Sequence, residues 1–181
     1  MKIHPTKLPD CFIIEPRVFQ DQRGFFFESF NKKVLEHLLG RTLEFVQDNQ
    51  SLSGRGVLRG MHFQEGEHAQ AKLVRVVRGE VLDVVLDLRT ASPTFGEHIK
   101  IHLSAENRKM LFIPRGMAHG FLSLEDNTLF LYKSDNYYHK DSERGLRYND
   151  PDLSIDWEFP ERELLLSDKD KEWPPFKQWG Q

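Results

Sequence analysis

His62 and Lys72 are the residues around which chemistry can be built. Both lie in Val57–Val81, VLRGMHFQEGEHAQAKLVRVVRGEV, which reads as strand, loop, strand, turn, strand. His62 ends one strand and Lys72 begins the next, which sets them near each other in a hairpin. An imidazole changes charge near neutrality, so it can take and return a proton at working pH. An ammonium beside it offers fixed positive charge to an oxygen that gains electrons. In the lining of a β-barrel the two suit proton abstraction next to a carbonyl. His119 and Tyr132 occupy inward-type positions on later strands, and Asp170 is a late acid able to orient the imidazole. Base, orienting acid, cation and phenolic proton donor form a complete set for enolisation.

Other chemistries find less support. No G-x-G-x-x-G follows a strand and no Walker-type loop occurs, so no nucleotide cofactor is expected. Ser and Cys nucleophiles lack an elbow or signature context. The single Cys11 excludes an internal disulfide and a cysteine zinc cluster and fits a reducing cytosol. A net charge of -3 carries no polyelectrolyte signature, which argues against nucleic acid as a partner. MKIHPTKLPDC has charges and prolines where an export signal needs an apolar run, and no window is apolar enough to span a membrane. The expected location is cytoplasmic.

The elements that must position these residues are mostly short strands. Cys11–Ile14 and Gly24–Phe30 read as strands separated by the turn DQRG. Phe25, Phe26 and Phe27, with Phe30, place apolar groups on both faces, which predicts a strand covered on both sides, with a partner subunit as one source of the cover. By composition alone Arg23 and Glu28 are surface groups. Asn31 to Leu39 is the clearest helix, with Val34, Leu35, Leu38 and Leu39 on one face, Asn31 as N-cap and Gly40 as stop. The QDNQ run at Gln47–Gln50 reads as a turn, although its amides could serve a polar ligand. VLDVVLDL alternates: Leu82, Val84, Leu86 and Leu88 face one way, Val81, Asp83, Val85 and Asp87 the other. Asp83 could pair with Lys72 or with an Arg of a neighbouring strand. Further strands at Ile99–Leu103, Met110–Ile113, Ala118–Leu124 and Thr128–Ser134 follow at tight turns, which predicts a sandwich or barrel. From Asn136 onward alternation fades into a polar, aromatic arm that wraps the barrel mouth, with Ser167 capping a short helical turn. One domain over residues 1–181 is the simplest organisation.

The hairpin around residues 60–80 and PRGMAH at 114–119 resemble the two motifs of the cupin superfamily. The fold implied is all-β, a cupin-type jelly-roll barrel with a few short helices. Metal-binding cupins carry two histidines and an acid in the first motif. Here the sequence has His62-Phe63-Gln64, so an amide stands at the second histidine position and Lys72 enters the same region. These are poor ligands for a dication, and no metal is expected. A metal held by His62 and His119 is the alternative.

More specifically, DQRGFFFESF, VQDNQSLS, VLRGMHFQ, AQAKLVRVVRGEVLDVVLDLR, SPTFGEH, LSAENRKMLFIPRGMAHGFLSL, LYKSDNYY, RGLRYNDPDLSIDW and LSDKD together resemble the dTDP-4-dehydrorhamnose 3,5-epimerase family. That resemblance implies inversion of C3 and C5 of dTDP-4-keto-6-deoxy-D-glucose without a cofactor. It implies His62 as base oriented by Asp170, Lys72 as enolate stabiliser and Tyr132 as proton donor on the opposite face. It places His119 beside sugar and pyrophosphate. It assigns Arg23, Glu28, Gln47, Asp48, Asn49 and Arg59 to nucleotide and phosphate, and Glu143 and Lys169 to further binding positions. Tyr138 resembles the aromatic that stacks on thymine. A homodimer is implied, with the N-terminal strands on the partner sheet. Met61 and Ala71 depart mildly from the family pattern. Related activities are single epimerisation, 3,4-ketoisomerisation and non-catalytic sugar-nucleotide binding.

Overall fold

A computed structural model describes residues 1–179. Its first sheet holds six strands in the order β1 (Lys2–Pro5), β2 (Phe12–Glu15), β10 (Met110–Ile113), β7 (Lys72–Arg78), β12 (Thr128–Ser134) and β5 (Gln47–Ser53). The second holds five, in the order β13 (Glu143–Gly145), β6 (Leu58–Gln64), β11 (Met117–Ser123), β8 (Glu80–Asp87) and β9 (His98–Ser104). A separate hairpin joins β3 (Phe19–Asp21) to β4 (Gly24–Phe26). The two large sheets enclose a core of Val74, Val76, Val81, Val85, Leu111, Phe121 and Phe130. This is the expected all-β jelly roll.

Each sheet also has a covered outer face. The helix α1 (Lys32–Leu39) packs Leu35 onto Leu73, Met110 and Phe112 of the first sheet. Asn31 accepts the Val34 N–H as N-cap, and Gly40 ends the helix at φ 65°, a conformation that favours glycine. The C-terminal segment lays Leu153, Ile155 and Trp157 over Leu82, Val84 and Leu86 of the second sheet. The arm therefore covers a sheet face and brings residues 165–167 and the helix α2 (Asp168–Glu172) to the barrel mouth. That cover explains the burial of nearly all of β8, where alternation alone would leave one side wet.

Two expectations need correction. Gln47–Ser53 is a strand rather than a turn: its polar residues alternate between a cavity face and a solvent face on an edge strand, where amides are tolerated. His62 and Lys72 do not face each other in a hairpin, since β6 and β7 belong to different sheets. Phe25 and Phe26 are exposed on their own chain, because among the described residues β3–β4 pairs with no other strand. Among the described residues no helix is long and apolar enough to cross a membrane.

The loop after β8 is fastened by a buried carboxylate. Asp87 accepts bonds from Arg89, Ser92 and Thr94 at 2.7–3.0 Å. Burial pushes its pKa up, but the Arg89, Ser92 and Thr94 bonds outweigh burial and bring it from 3.8 down to about 2. A depressed carboxyl pKa stabilises above the unfolded value, and that stabilisation is lost as pH falls through the folded one. Urea midpoints should therefore drop between about pH 4 and pH 2. Asp87→Asn should be less stable at neutral pH and show a shallower acid decline. Equal declines in both proteins would remove Asp87 as the cause.

Candidate active site

A cavity of about 650 Å³ opens between the sheets. The second sheet contributes Arg59, His62, His119 and Phe121, and the first Asn49, Ser51, Lys72, Phe130 and Tyr132. The C-terminal segment closes the rim with Leu165, Leu166, Ser167, Lys169 and Asp170. The register between β6 and β11 slips between the pairs His119↔His62 and Phe121↔Arg59. This irregularity lets Arg59 and His62, three residues apart, face the same cavity. Close strand approach requires glycine here: a Cβ on Gly120 would lie 2.8 Å from Met61 Sδ and 3.1 Å from Gly60 Cα.

His62 Nε2 lies 2.5 Å from Asp170 Oδ1. Asp170 sits in the first turn of α2, where its N–H donates to the Ser167 N-cap at 3.2 Å. Trp173 Nε1 donates to the same carboxylate oxygen at 3.3 Å. Burial pushes the Asp170 carboxyl up, but the His62 bond and charge, with Ser167 and Trp173, hold it below the usual range. An ionised Asp170 accepts a hydrogen bond from Nε2–H and leaves Nδ1 as the nitrogen with a free lone pair.

Lys72 stands on the opposite wall, its Nζ 5.8 Å from the centroid of the Tyr132 ring. Among the described residues no carboxylate lies within ion-pair distance of it. Burial lowers its pKa from 10.5 to about 8, with Asp83 and Glu143 pulling it back up. The ammonium is thus charged at neutral pH and only weakly compensated, a state suited to receiving negative charge. Burial, then the Glu143 charge, raise the Tyr132 phenol, and Arg59 opposes them. The phenol is therefore protonated.

His119 is buried, and its Nε2 lies 2.9 Å from Asp83 Oδ2. The partner of Asp83 is thus His119, not Lys72 or a neighbouring Arg. Burial pushes Asp83 up, while His119 and then Lys72 pull it down. Arg59 is held by Ser53 Oγ at 3.2 Å.

The remaining predicted residues divide. Gln47 Nε2 donates to Asn49 Oδ1 at 2.9 Å, and Gln47 Oε1 accepts the Tyr138 N–H at 3.1 Å. Tyr138 is at the rim, its hydroxyl donating to Glu143 Oε2 at 2.8 Å, and Lys169 pairs with the same carboxylate. Burial pushes Glu143 up, but Lys169 and Tyr138 hold it low. Asp48 points away from the cavity and pairs with Lys133 at 2.8 Å, because strand alternation puts it on the face opposite Asn49. Arg23 pairs with Asp21, and Glu28 accepts from Asn31 at 2.9 Å. Both lie on or beside the projecting hairpin, outside their own chain's cavity. Among the described residues no group of three or more His, Cys, Asp or Glu is placed to hold a metal ion.

Sequence reasoning missed Trp173, Ser51 and Gln64. Trp173 follows Asp170 by one helical turn, and Gln64 follows His62 by two residues on the same strand face; these spacings were the available signals. Ser51 shares the β5 face of Asn49 and carried no signal once that stretch read as a turn.

Two sheets closed around a His–Asp pair, a half-buried lysine and a phenol define a cupin-type barrel with acid–base groups inside. The sequence relations are more specific. The family described as dTDP-4-dehydrorhamnose 3,5-epimerase matches residues 5–178, and the chain belongs to that family. It is 54% identical over 170 residues to the dTDP-4-dehydrorhamnose 3,5-epimerase of Shigella flexneri, covering 94% of this chain and 93% of that one. The crystal structure of the enzyme of that name from Elizabethkingia anophelis NUHP1 superposes with TM-score 0.95 at 53% identity, over 98% of this chain and 97% of that one. A Legionella pneumophila Philadelphia 1 dTDP-6-deoxy-D-glucose-3,5-epimerase, solved in complex with dTDP-4-keto-L-rhamnose, superposes with TM-score 0.93 at 47% identity, over 97% and 93% of the two chains.

Gly145 on β13 pairs with His62, and a Cβ there would lie 2.4 Å from ring atoms of Trp173. Gly145→Ala must therefore displace the indole that supports Asp170. We expect it to cost about 1–3 kcal/mol in urea unfolding and to raise acrylamide quenching of Trp173. Unchanged stability and quenching would show that the indole is not held there.

Proposed function

We propose that this chain is an isomerase that inverts C3 and C5 of dTDP-4-keto-6-deoxy-D-glucose to give dTDP-4-keto-L-rhamnose. The observation that carries the reading is the opening of His62 and Lys72, on opposite sheets, into one cavity. C3 and C5 both flank the C4 ketone, so one carbonyl acidifies both protons. His62 Nδ1 takes a proton from carbon, with Asp170 holding the resulting imidazolium. The electron pair moves onto the C4 oxygen, where the Lys72 ammonium receives the charge. Tyr132 lies on the wall across from His62 and returns a proton to the other face, which turns exchange into inversion. Arg59 and His119 hold the pyrophosphate end, Arg through its planar fork. Gln47, Asn49, Tyr138, Glu143 and Lys169 form the nucleoside end of the same site. The chain acts as one domain in the cytoplasm.

A homodimer completes this reading. Phe19, Phe25 and Phe26 are at least half exposed, and Leu52 is 54% exposed on the edge strand of the first sheet. Such apolar surface calls for a partner. Arg23 and Glu28, which do not reach their own cavity, would then serve the cavity of a second copy. Phe26→Asp should shift sedimentation toward the monomer and raise KM. A variant that stays dimeric at micromolar concentration would remove the hairpin from the interface.

The reaction is tested by incubating the protein with the 4-keto nucleotide sugar in deuterated water. Deuterium should enter at both C3 and C5, and the NMR spectrum should be that of the inverted sugar. Label at one carbon indicates a single epimerase, a migrated carbonyl a ketoisomerase, and binding without label a non-catalytic protein. His62→Ala should slow exchange by about 10²–10⁴-fold. Tyr132→Phe should retain part of the exchange and lose inversion; normal inversion would cancel its role as donor.

A further inference from the structure

Gln64 does no work in the mechanism above, yet it is 5% exposed and fully bonded. It follows His62 by two residues on β6 and faces the same way. Its Oε1 accepts the His139 N–H at 2.6 Å. Its Nε2 donates to the Tyr137 carbonyl at 3.3 Å and to the His68 carbonyl at 3.2 Å. One carboxamide thus joins the loop between β6 and β7 to the segment after β12. Gln47 takes the N–H of the intervening Tyr138 at 3.1 Å. Two side-chain amides therefore hold the backbone of three successive residues, 137 to 139, and with it the base from which the Tyr138 ring reaches Glu143. The imidazoles of His68 and His139 stack at 3.9 Å across the same junction.

We propose that Gln64 is a positioning residue that presets Tyr138 for the nucleoside before substrate arrives. At the position where metal cupins carry a second histidine, this chain carries an amide clamp. A carboxamide suits the task because it alone among neutral side chains of this size offers two donors and an acceptor together. Fixing the rim in the bound geometry lowers the ordering cost of binding, so the effect falls on affinity rather than on chemistry. The proposal rests on the reading of Tyr138 as a nucleoside contact.

The test combines Gln64→Met, Tyr138→Ala and the double variant, with dTDP affinity by calorimetry and kcat and KM for epimerisation. Gln64→Met should raise the dTDP Kd and the KM about tenfold while kcat stays within about threefold. In the Tyr138→Ala background, Gln64→Met should add little further loss, since the two act through one contact. Additive losses, or a fall in kcat at unchanged KM, would overturn the clamp. If Tyr138→Ala weakens dTDP binding and Gln64→Met does not, the clamp alone fails. If Tyr138→Ala binds dTDP like wild type, the nucleoside reading fails and the clamp falls with it. Should Gln64→Met not fold, Gln64→Glu is read in the same way: it keeps the shape and the acceptor and loses both donors.

Discussion

The bond between His62 and Asp170 is the contact on which the rest of the structure depends. It joins residues 108 apart in the chain. Ordering so long an intervening segment is entropically costly, and one hydrogen bond cannot offset it. The burial that does so is the apolar seam between the C-terminal segment and the outer face of the second sheet, where Leu153, Ile155 and Trp157 meet Leu82, Val84 and Leu86. The seam brings α2 to the mouth, the Ser167 cap orients its first turn, and Trp173 packs beside the carboxylate. An apolar surface on the outside of the barrel thus fixes the ionisation of a group at its opening.

The two-sheet construction decides what that group can do. Strands of one sheet carry His62 and His119; strands of the other carry Lys72 and Tyr132. The two sets of groups therefore line one cavity from opposite sheets. Burial lowers the lysine only to about 8, which leaves it a cation at neutral pH, and raises the phenol, which keeps it protonated. The same low-polarity setting makes each charge matter more than it would in water.

Much of this was legible in the sequence. Period-two alternation located β8, β11 and β12, and Asn31 and Gly40 bounded α1. Other features depend on distant packing. The pairing of Asp83 with His119 comes from the neighbouring β8 and β11, an adjacency local pattern does not encode. The polar strand Gln47–Ser53 imitates a turn because its side chains serve a cavity rather than a core. The hairpin with Arg23 forms a separate two-stranded sheet, so its role could not be read from local composition.

In the proposed reaction Lys72 receives the charge that His62 releases from carbon. The most direct measurement is the rate of hydrogen–deuterium exchange into saturating 4-keto nucleotide sugar by Lys72→Met, beside its affinity for dTDP. We predict a loss of exchange of about 10²–10³-fold with dTDP binding nearly unchanged. Exchange near the wild-type rate would contradict the account.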